Sequence, residues 1–311
     1  MILLIQYNYK GFIMKKQQLK ADLALLLATA FWGTTYVLTK FILDYLEPLN
    51  IISLRFLIAA VILVIVFHKR LKNITTTFLT KTLFLSVFLL LSFMSMNYAL
   101  LYTSASNAAF IGGTTVLFVP IFEWIFLGRK LGKKIWFCVG LSLVGVALLT
   151  LNADFRLSFG FGEVLSLSCA LTYAIYILMV DHIAKEYDPV AVSSVQMIFI
   201  ALISTALTFF FETYRLPPNH STWFILLLLA LPCTAIAYVI QFLAQKHTTP
   251  THTGLIISME TVFGGFFAFV LLGEVLSLYN YLGAFLMFVS IFIMEMPAEF
   301  FKKSQTKEEP L

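Results

Sequence analysis

Apolar residues in this chain run in long unbroken blocks, punctuated by short polar or basic segments, and do not alternate with polar residues. About ten such blocks can be read, at 22–39, 49–67, 82–101, 106–127, 133–151, 161–180, 190–211, 222–244, 252–272 and 277–296. A helix of about 20 mostly apolar residues, rising about 1.5 Å per residue, spans the roughly 30 Å of bilayer hydrocarbon. Each block therefore predicts one transmembrane helix. Membrane β-barrels are excluded, because their strands are segments of about 10 residues with alternating polarity. Between the third and fourth blocks the only polar punctuation is Tyr102-Thr103-Ser104-Ala105. No connecting loop is long enough for a soluble domain, so the activity belongs to the bilayer. The expected fold is all-α, integral to the membrane, with ten transmembrane helices.

Composition agrees. The chain has 311 residues, 60% hydrophobic and only 12% charged, with mean hydropathy +0.92. A soluble domain carries about 25% charged residues, so soluble, disordered and disulfide-scaffold classes drop out. The formal charge of +5 acquires meaning through its placement. With the N-terminus cytoplasmic, seventeen Lys and Arg fall in inside segments, from Lys10 to Lys307. Only Lys40, Arg156 and Arg215 fall outside, and Arg55 within a span completes the 21. This asymmetry follows the positive-inside rule and predicts a multi-pass cell-membrane protein with both termini cytoplasmic. It gives the basic residues a topological role, with the lipid bilayer and not a nucleic acid as partner. Residues 1–20 read as a cytoplasmic leader. Within it, Met1–Ile13 lacks a basic region ahead of its apolar residues and a cleavage site, so it is a poor signal peptide. Met14-Lys15-Lys16 resembles a start, and 1–13 a start-site extension. Residues 297–311 read as a cytoplasmic tail.

The chain also matches itself. At a shift of 141, Asp22 falls on Glu163, Trp32 on Tyr173, Glu47-Pro48 on Asp188-Pro189, and Arg55 on Gln196. At a shift of 145, Thr103-Ser104-Ala105 falls on Thr248-Thr249-Pro250 and Leu127-Gly128 on Leu272-Gly273. Two related units follow, 21–151 and 161–296, each of five spans. Five is odd, so the second enters the membrane from the opposite side. Paired units of opposite orientation are a common plan of secondary transporters.

Several short runs carry a family resemblance: Phe31-Trp32-Gly33-Thr34-Thr35-Tyr36, Arg55-Phe56-Leu57, Asn97-Tyr98-Ala99-Leu100, Tyr102-Thr103-Ser104-Ala105, Glu260 and Leu272-Gly273-Glu274. In order and spacing, from about residue 21 to 296, they resemble the EamA-type family of the drug/metabolite transporter superfamily. The resemblance implies ten helices in two inverted five-helix repeats around a central cavity, and export of small metabolites. Two positions depart from the family pattern: Arg129 follows Gly128 where Glu is usual, and Thr261 follows Glu260 where Pro is usual.

Ionisable groups inside hydrocarbon cost several kcal/mol and call for a partner or a purpose. Arg55 lies about two turns into span two and Glu260 near the middle of span nine. Facing a cavity, Arg55 suits a carboxylate or phosphate, and Glu260 an amine or a coupling proton. The structural alternative is that each is neutralised by a neighbour or by the other, or that Arg55 snorkels. Glu123, near a span end, is explained by pairing with Arg129 or Lys130. Thr234, Tyr238, Gln241 and Gln245 share one face of span eight; Trp32, Tyr36 and Thr39 one face of span one. Tyr173 and Tyr176 occupy span six; Ser92, Ser95, Tyr98 and Asn97 span three. The candidate substrate-binding set is Trp32, Tyr36, Arg55, Asn97, Tyr173, Tyr176, Tyr238, Gln241 and Glu260. Aromatic walls with a few amides and hydroxyls suit flat or amphipathic solutes, including cations. Gly112-Gly113 and Gly264-Gly265 allow close helix approach.

Enzyme chemistry finds little footing. The five His form no H-E-x-x-H or paired set, and Cys138, Cys169 and Cys233 stand singly, so neither catalysis, a metal nor a cofactor is expected. The expected function is a secondary active transporter exporting a small organic metabolite, amino-acid-like or otherwise amphipathic, by alternating access. A polytopic membrane enzyme and a non-transporting membrane sensor are the alternatives.

Overall fold

The computed structural model describes residues 2–72, 74–103, 108, 111–150, 160–272 and 277–296. Every regular element among them is helical: α1 (Ile2–Leu43), α2 (Pro48–Phe67), α3 (Thr76–Tyr102), α4 (Thr115–Leu127), α5 (Lys133–Thr150), α6 (Phe161–Glu186), α7 (Pro189–Phe211), α8 (His220–Gln245), α9 (Pro250–Ile257), α10 (Glu260–Leu272) and α11 (Leu278–Glu295). Among the described residues, seven helical runs are long and apolar enough to cross a membrane, and Ile111–Leu127 and Leu278–Met294 are shorter apolar helices. Ser104-Ala105, Gly273-Glu274 and the tail 297–311 lie outside the described residues.

Local chemistry sets the helix ends. Thr75, Asp188, Asn219, Thr249 and Ser277 each accept a hydrogen bond from a backbone N–H of the first turn, and Pro48, Pro189 and Pro250 open their helices where no N–H is needed. Gly128, at φ 63°, turns the chain out of α4. Two apolar blocks are not simple α-helices. Block 222–244 contains a π-turn at Leu231–Ile236. Block 252–272 breaks between α9 and α10 at Ser258-Met259. At that break the Ser258 hydroxyl donates to Leu255 O at 2.7 Å and the Thr261 hydroxyl to Ser258 O at 2.8 Å. Such local side-chain bonds compete with the helical ladder.

The most extensive helix contacts join α2 to α7, α3 to α6, α5 to α11, and α1 to both α10 and α8. All of these connect residues before 151 with residues after 160. The core between them is built from Trp32, Phe56, Leu85, Tyr176, Met197, Tyr238 and Phe242, among others. Close approach is imposed by small residues. A Cβ on Gly33 would lie 2.6 Å from Phe263 Cβ and 2.8 Å from Gly264 N, and one on Gly145 2.8 Å from Gly283 O. The outer surface is apolar, with Phe209, Phe210 and Phe211 each more than two-thirds exposed, as expected of a wall facing lipid.

Candidate functional site

A cavity opens in the bundle, with about 900 Å³ of empty space counting its open mouth. Its walls come from α1, α2, α3, the start of α4, α6, α8 and the α9–α10 break. On α1 the lining begins at Trp32, on α3 at Ser92, and on α4 it stops at Val116. The cavity therefore occupies the half of the bundle away from the basic N-terminal end of α1.

Seven of the nine candidate residues line it: Trp32, Tyr36, Arg55, Asn97, Tyr173, Tyr238 and Glu260. The Trp32 and Tyr238 rings lie 5.2 Å apart and tilted, and Phe93 closes on Tyr238 at 6.3 Å. Asn97 gives its Nδ2 to Phe93 O at 2.8 Å, which leaves its amide oxygen as the free group. Tyr36, Tyr173 and Glu260 are half-buried, and their remaining exposure faces the cavity that they line.

The two charged candidates are placed differently. Arg55 is 2% exposed. Its Nε donates to Thr234 Oγ1, its Nη2 donates to Cys233 O at 3.1 Å, and its guanidinium lies 5.0 Å from the Phe93 ring centre. Two of its three nitrogens are thus spent on the protein. The Glu260 carboxyl, in the first turn of α10, faces the Tyr36 hydroxyl. Among the described residues no ion pair of 4.0 Å or less joins Arg55 to Glu260.

Tyr176 and Gln241 do not line the cavity. Tyr176 is fully buried behind Tyr173, stacked at 5.6 Å, and its hydroxyl accepts from Gln196 Nε2 at 3.1 Å. Gln241 donates to Gln245 Oε1, and Gln245 donates in turn to Ile177 O, both at 3.0 Å. That pair ties α8 to α6 beneath the cavity floor. Tyr98 is engaged elsewhere, its hydroxyl donating to Glu212 Oε1 at 2.7 Å.

Sequence inspection passed over Thr35, Phe93, Met96, Thr115 and Ser258, which also line the cavity. Phe93 and Met96 carry no polar signal in an apolar span. Thr35 sits inside the quoted Phe31–Tyr36 run and Ser258 two residues before Glu260, so proximity to those positions was the available cue.

Polar contacts gather at both ends of the bundle. Below the cavity, buried Glu123 accepts from Thr251 N at 3.1 Å, Thr251 Oγ1 at 2.5 Å and Arg129 Nη1 at 3.0 Å, so its partners include α9 as well as the expected Arg129. Asp22 approaches His252 at 3.3 Å, Arg70 pairs with Asp188 at 2.9 Å, and Lys81 with Glu186 at 2.6 Å. At the opposite end Glu212 accepts from Leu49 N and Asn50 N at 3.0 and 2.9 Å. It thereby caps α2, whose own preceding residue Glu47 makes no side-chain cap. Among the described residues no group of three or more His, Cys, Asp or Glu could hold a metal ion.

Comparison with known proteins places this geometry in context. The model of the EamA-like transporter family matches twice, over residues 19–151 and 160–296. An uncharacterized transporter of Archaeoglobus fulgidus is 29% identical over 280 residues, covering 90% of this chain and 87% of its own. The uncharacterized transporter YetK of Bacillus subtilis is 23% identical over 297 residues, covering 91% and 89%. A crystal structure of another protein superposes with a TM-score of 0.77 at 16% identity, over 92% of this chain and 99% of that one; this likeness speaks to the fold alone. An all-helical bundle with multiple apolar spans and a family model matched along nearly its whole length lead to one conclusion: this chain is a multi-pass membrane protein and belongs to the EamA-like transporter family.

Proposed function

We propose that the protein is a secondary active transporter of the cell membrane that exports a small amphipathic solute, amino-acid-like or similar, by alternating access. The observation that carries this reading is the cavity itself. Trp32, Tyr36, Tyr173 and Tyr238 supply apolar, π-faced walls, and Glu260 supplies a carboxylate at a helix break. Such a site accepts a flat or apolar body with an attached amine. Export as the direction is inherited from the family.

The architecture proposed is ten spans in two inverted units of five, 21–151 and 161–296, with both termini cytoplasmic. Its support is the packing scheme: exchanging the units maps α2–α7 and α5–α11 onto themselves and α3–α6 onto α8–α1. The two family-model matches divide the chain at nearly the same place. In that orientation the cavity lies in the outer half, and the contacts of Glu123, Asp22, Gln245 and Arg70 underlie it on the cytoplasmic side. A rocking motion of the two units would then exchange the open and closed ends.

The test is flux in proteoliposomes over a panel of amino acids and aromatic or aliphatic amines. The expected result is counterflow of at least one amphipathic member, lost by at least tenfold in Glu260→Gln. No flux of any member above empty liposomes would overturn the transporter proposal, whereas unchanged flux in Glu260→Gln would remove the carboxylate from the site. Binding without flux would favour the sensor.

A further inference from the structure

The π-turn of α8 has a cause and a consequence. Pro232 has no N–H and crowds the carbonyl four residues back, which favours a local departure from the α-helical ladder, although Pro120 lies inside α4 without one. Here the helix widens over Leu231–Ile236, and the Ala237 N–H bonds Pro232 O, five residues back, and Thr234 O, bypassing Cys233 O. In a regular helix that N–H would serve Cys233 O. The widened turn therefore releases the Cys233 carbonyl, deep in the bundle where water cannot satisfy it.

Two side chains from the other half of the chain occupy it. Trp32 Nε1 donates to Cys233 O at 3.0 Å and Arg55 Nη2 at 3.1 Å. Arg55 Nε also donates to Thr234 Oγ1, and that hydroxyl bridges the turn by donating to Leu229 O at 2.8 Å. The Cys233 thiol reaches Phe31 O at 3.1 Å. Helix α3, which the repeat aligns with α8, is continuous α-helix from Thr76 to Tyr102. The turn thus belongs to one half only, as do the Trp and Arg that hold it.

We propose that this π-turn is a joint, clasped by Arg55 and Trp32, which fixes the rotation of the C-terminal part of α8 and so aims Tyr238 into the cavity. Arg55 is then a positioning residue, and its cost inside the membrane is the cost of holding that joint. The geometry states what release would do. Rewinding the turn to α-helix adds one residue's rotation, about 100°, to everything after it. With the first part of α8 held in place, Ala237 takes the direction Tyr238 now has, and Tyr238 leaves its contact with Trp32.

The experiment reads that rotation directly. In a background with Cys138, Cys169 and Cys233 replaced by Ser, Ala237→Cys and Tyr238→Cys are compared for reaction with a small impermeant methanethiosulfonate. With Arg55 present, position 238 should react and 237 should not. Arg55→Met should exchange the two by tenfold or more, and Arg55→Lys, which can still donate to Cys233 O, should keep the native preference. Where Arg55→Met does not fold, Trp32→Phe, which keeps the ring and removes its donor, is read in the same way and should shift the preference in the same direction. An unchanged preference, or equal exposure of both positions, would overturn the proposal. The labelling needs no substrate, so its outcome is independent of whether any panel solute is transported.

Discussion

Gly33 offers a sharp test of how α1 is seated. A Cβ at this position meets Phe263 Cβ at 2.6 Å, Gly264 N at 2.8 Å and Phe263 C at 2.9 Å. These are backbone atoms and a first side-chain carbon, so no rotamer change relieves them. Ordinary contact starts at 3.4 Å, and Gly33→Ala must therefore part α1 and α10 by about 0.8 Å in an interior packed like a crystal. Overpacking of this kind costs about 1–3 kcal/mol. Alanine also favours helix over glycine by about 1 kcal/mol, which would mask part of the loss. Gly140 on α5 supplies the control, because a Cβ there meets nothing within 4 Å. The difference between Gly33→Ala and Gly140→Ala isolates the packing cost. At about 2 °C per kcal/mol for a chain of this size, the Gly33 variant should melt about 2–6 °C below the Gly140 variant in detergent. Scan rates must match, since unfolding of such a protein is governed by its rate. Melting temperatures that agree within about 1 °C would refute the reasoning and imply that α1 does not meet α10 at this glycine.

Glu123→Ala removes the buried acceptor of two Thr251 donors and Arg129; with the half-exposed Arg129 discounted, the loss should be about 2–4 kcal/mol. Thermal melting should show Glu123→Gln between the wild type and the alanine variant, and an unshifted Glu123→Ala would detach α4 from α9. Glu212→Ala uncaps α2 from across the molecule at about 1–2 kcal/mol. Hydrogen exchange at Leu49 and Asn50 should accelerate, and native protection at both amides would mean that another group serves that end.

Hydropathy placed some helix ends closely, with block 49–67 at Pro48–Phe67 and block 190–211 at Pro189–Phe211. It could not see polar helix ends: block 22–39 lies inside a helix from Ile2 to Leu43, block 82–101 inside Thr76–Tyr102, and block 161–180 inside Phe161–Glu186. Sparse charge made Arg55 and Glu260 conspicuous for the same reason, the cost of ionisable groups in hydrocarbon. Hydropathy could not show what the backbone does inside an apolar run. Pro232 looks like one more apolar residue, and Ser258 like one more hydroxyl, yet the first widens α8 and the second helps break α9 from α10. The spacing of Thr234, Tyr238, Gln241 and Gln245 assumed an uninterrupted helix. In the structure Thr234 meets Arg55, Tyr238 meets the cavity, and the two glutamines meet each other and α6. Arg55 was legible as a group needing a partner, but its partner is a carbonyl that only the distorted helix provides.

The cross-chain packing bears on how the protein is made. At a synthesis rate of about 5–20 residues per second, the 179 residues between Arg55 and Thr234 take roughly 10–40 s to emerge. Throughout that interval a newly inserted α2 holds a guanidinium in the membrane without its hydrogen-bond acceptors, and Glu123 waits 128 residues for Thr251. Until α8 and α9 arrive, Arg55 lacks its Thr234 and Cys233 acceptors and Glu123 lacks its Thr251 donors, Arg129 being the partner the first half supplies to Glu123. The membrane cost of Arg55 is therefore greatest during synthesis, before the acceptors that offset it are in the bilayer.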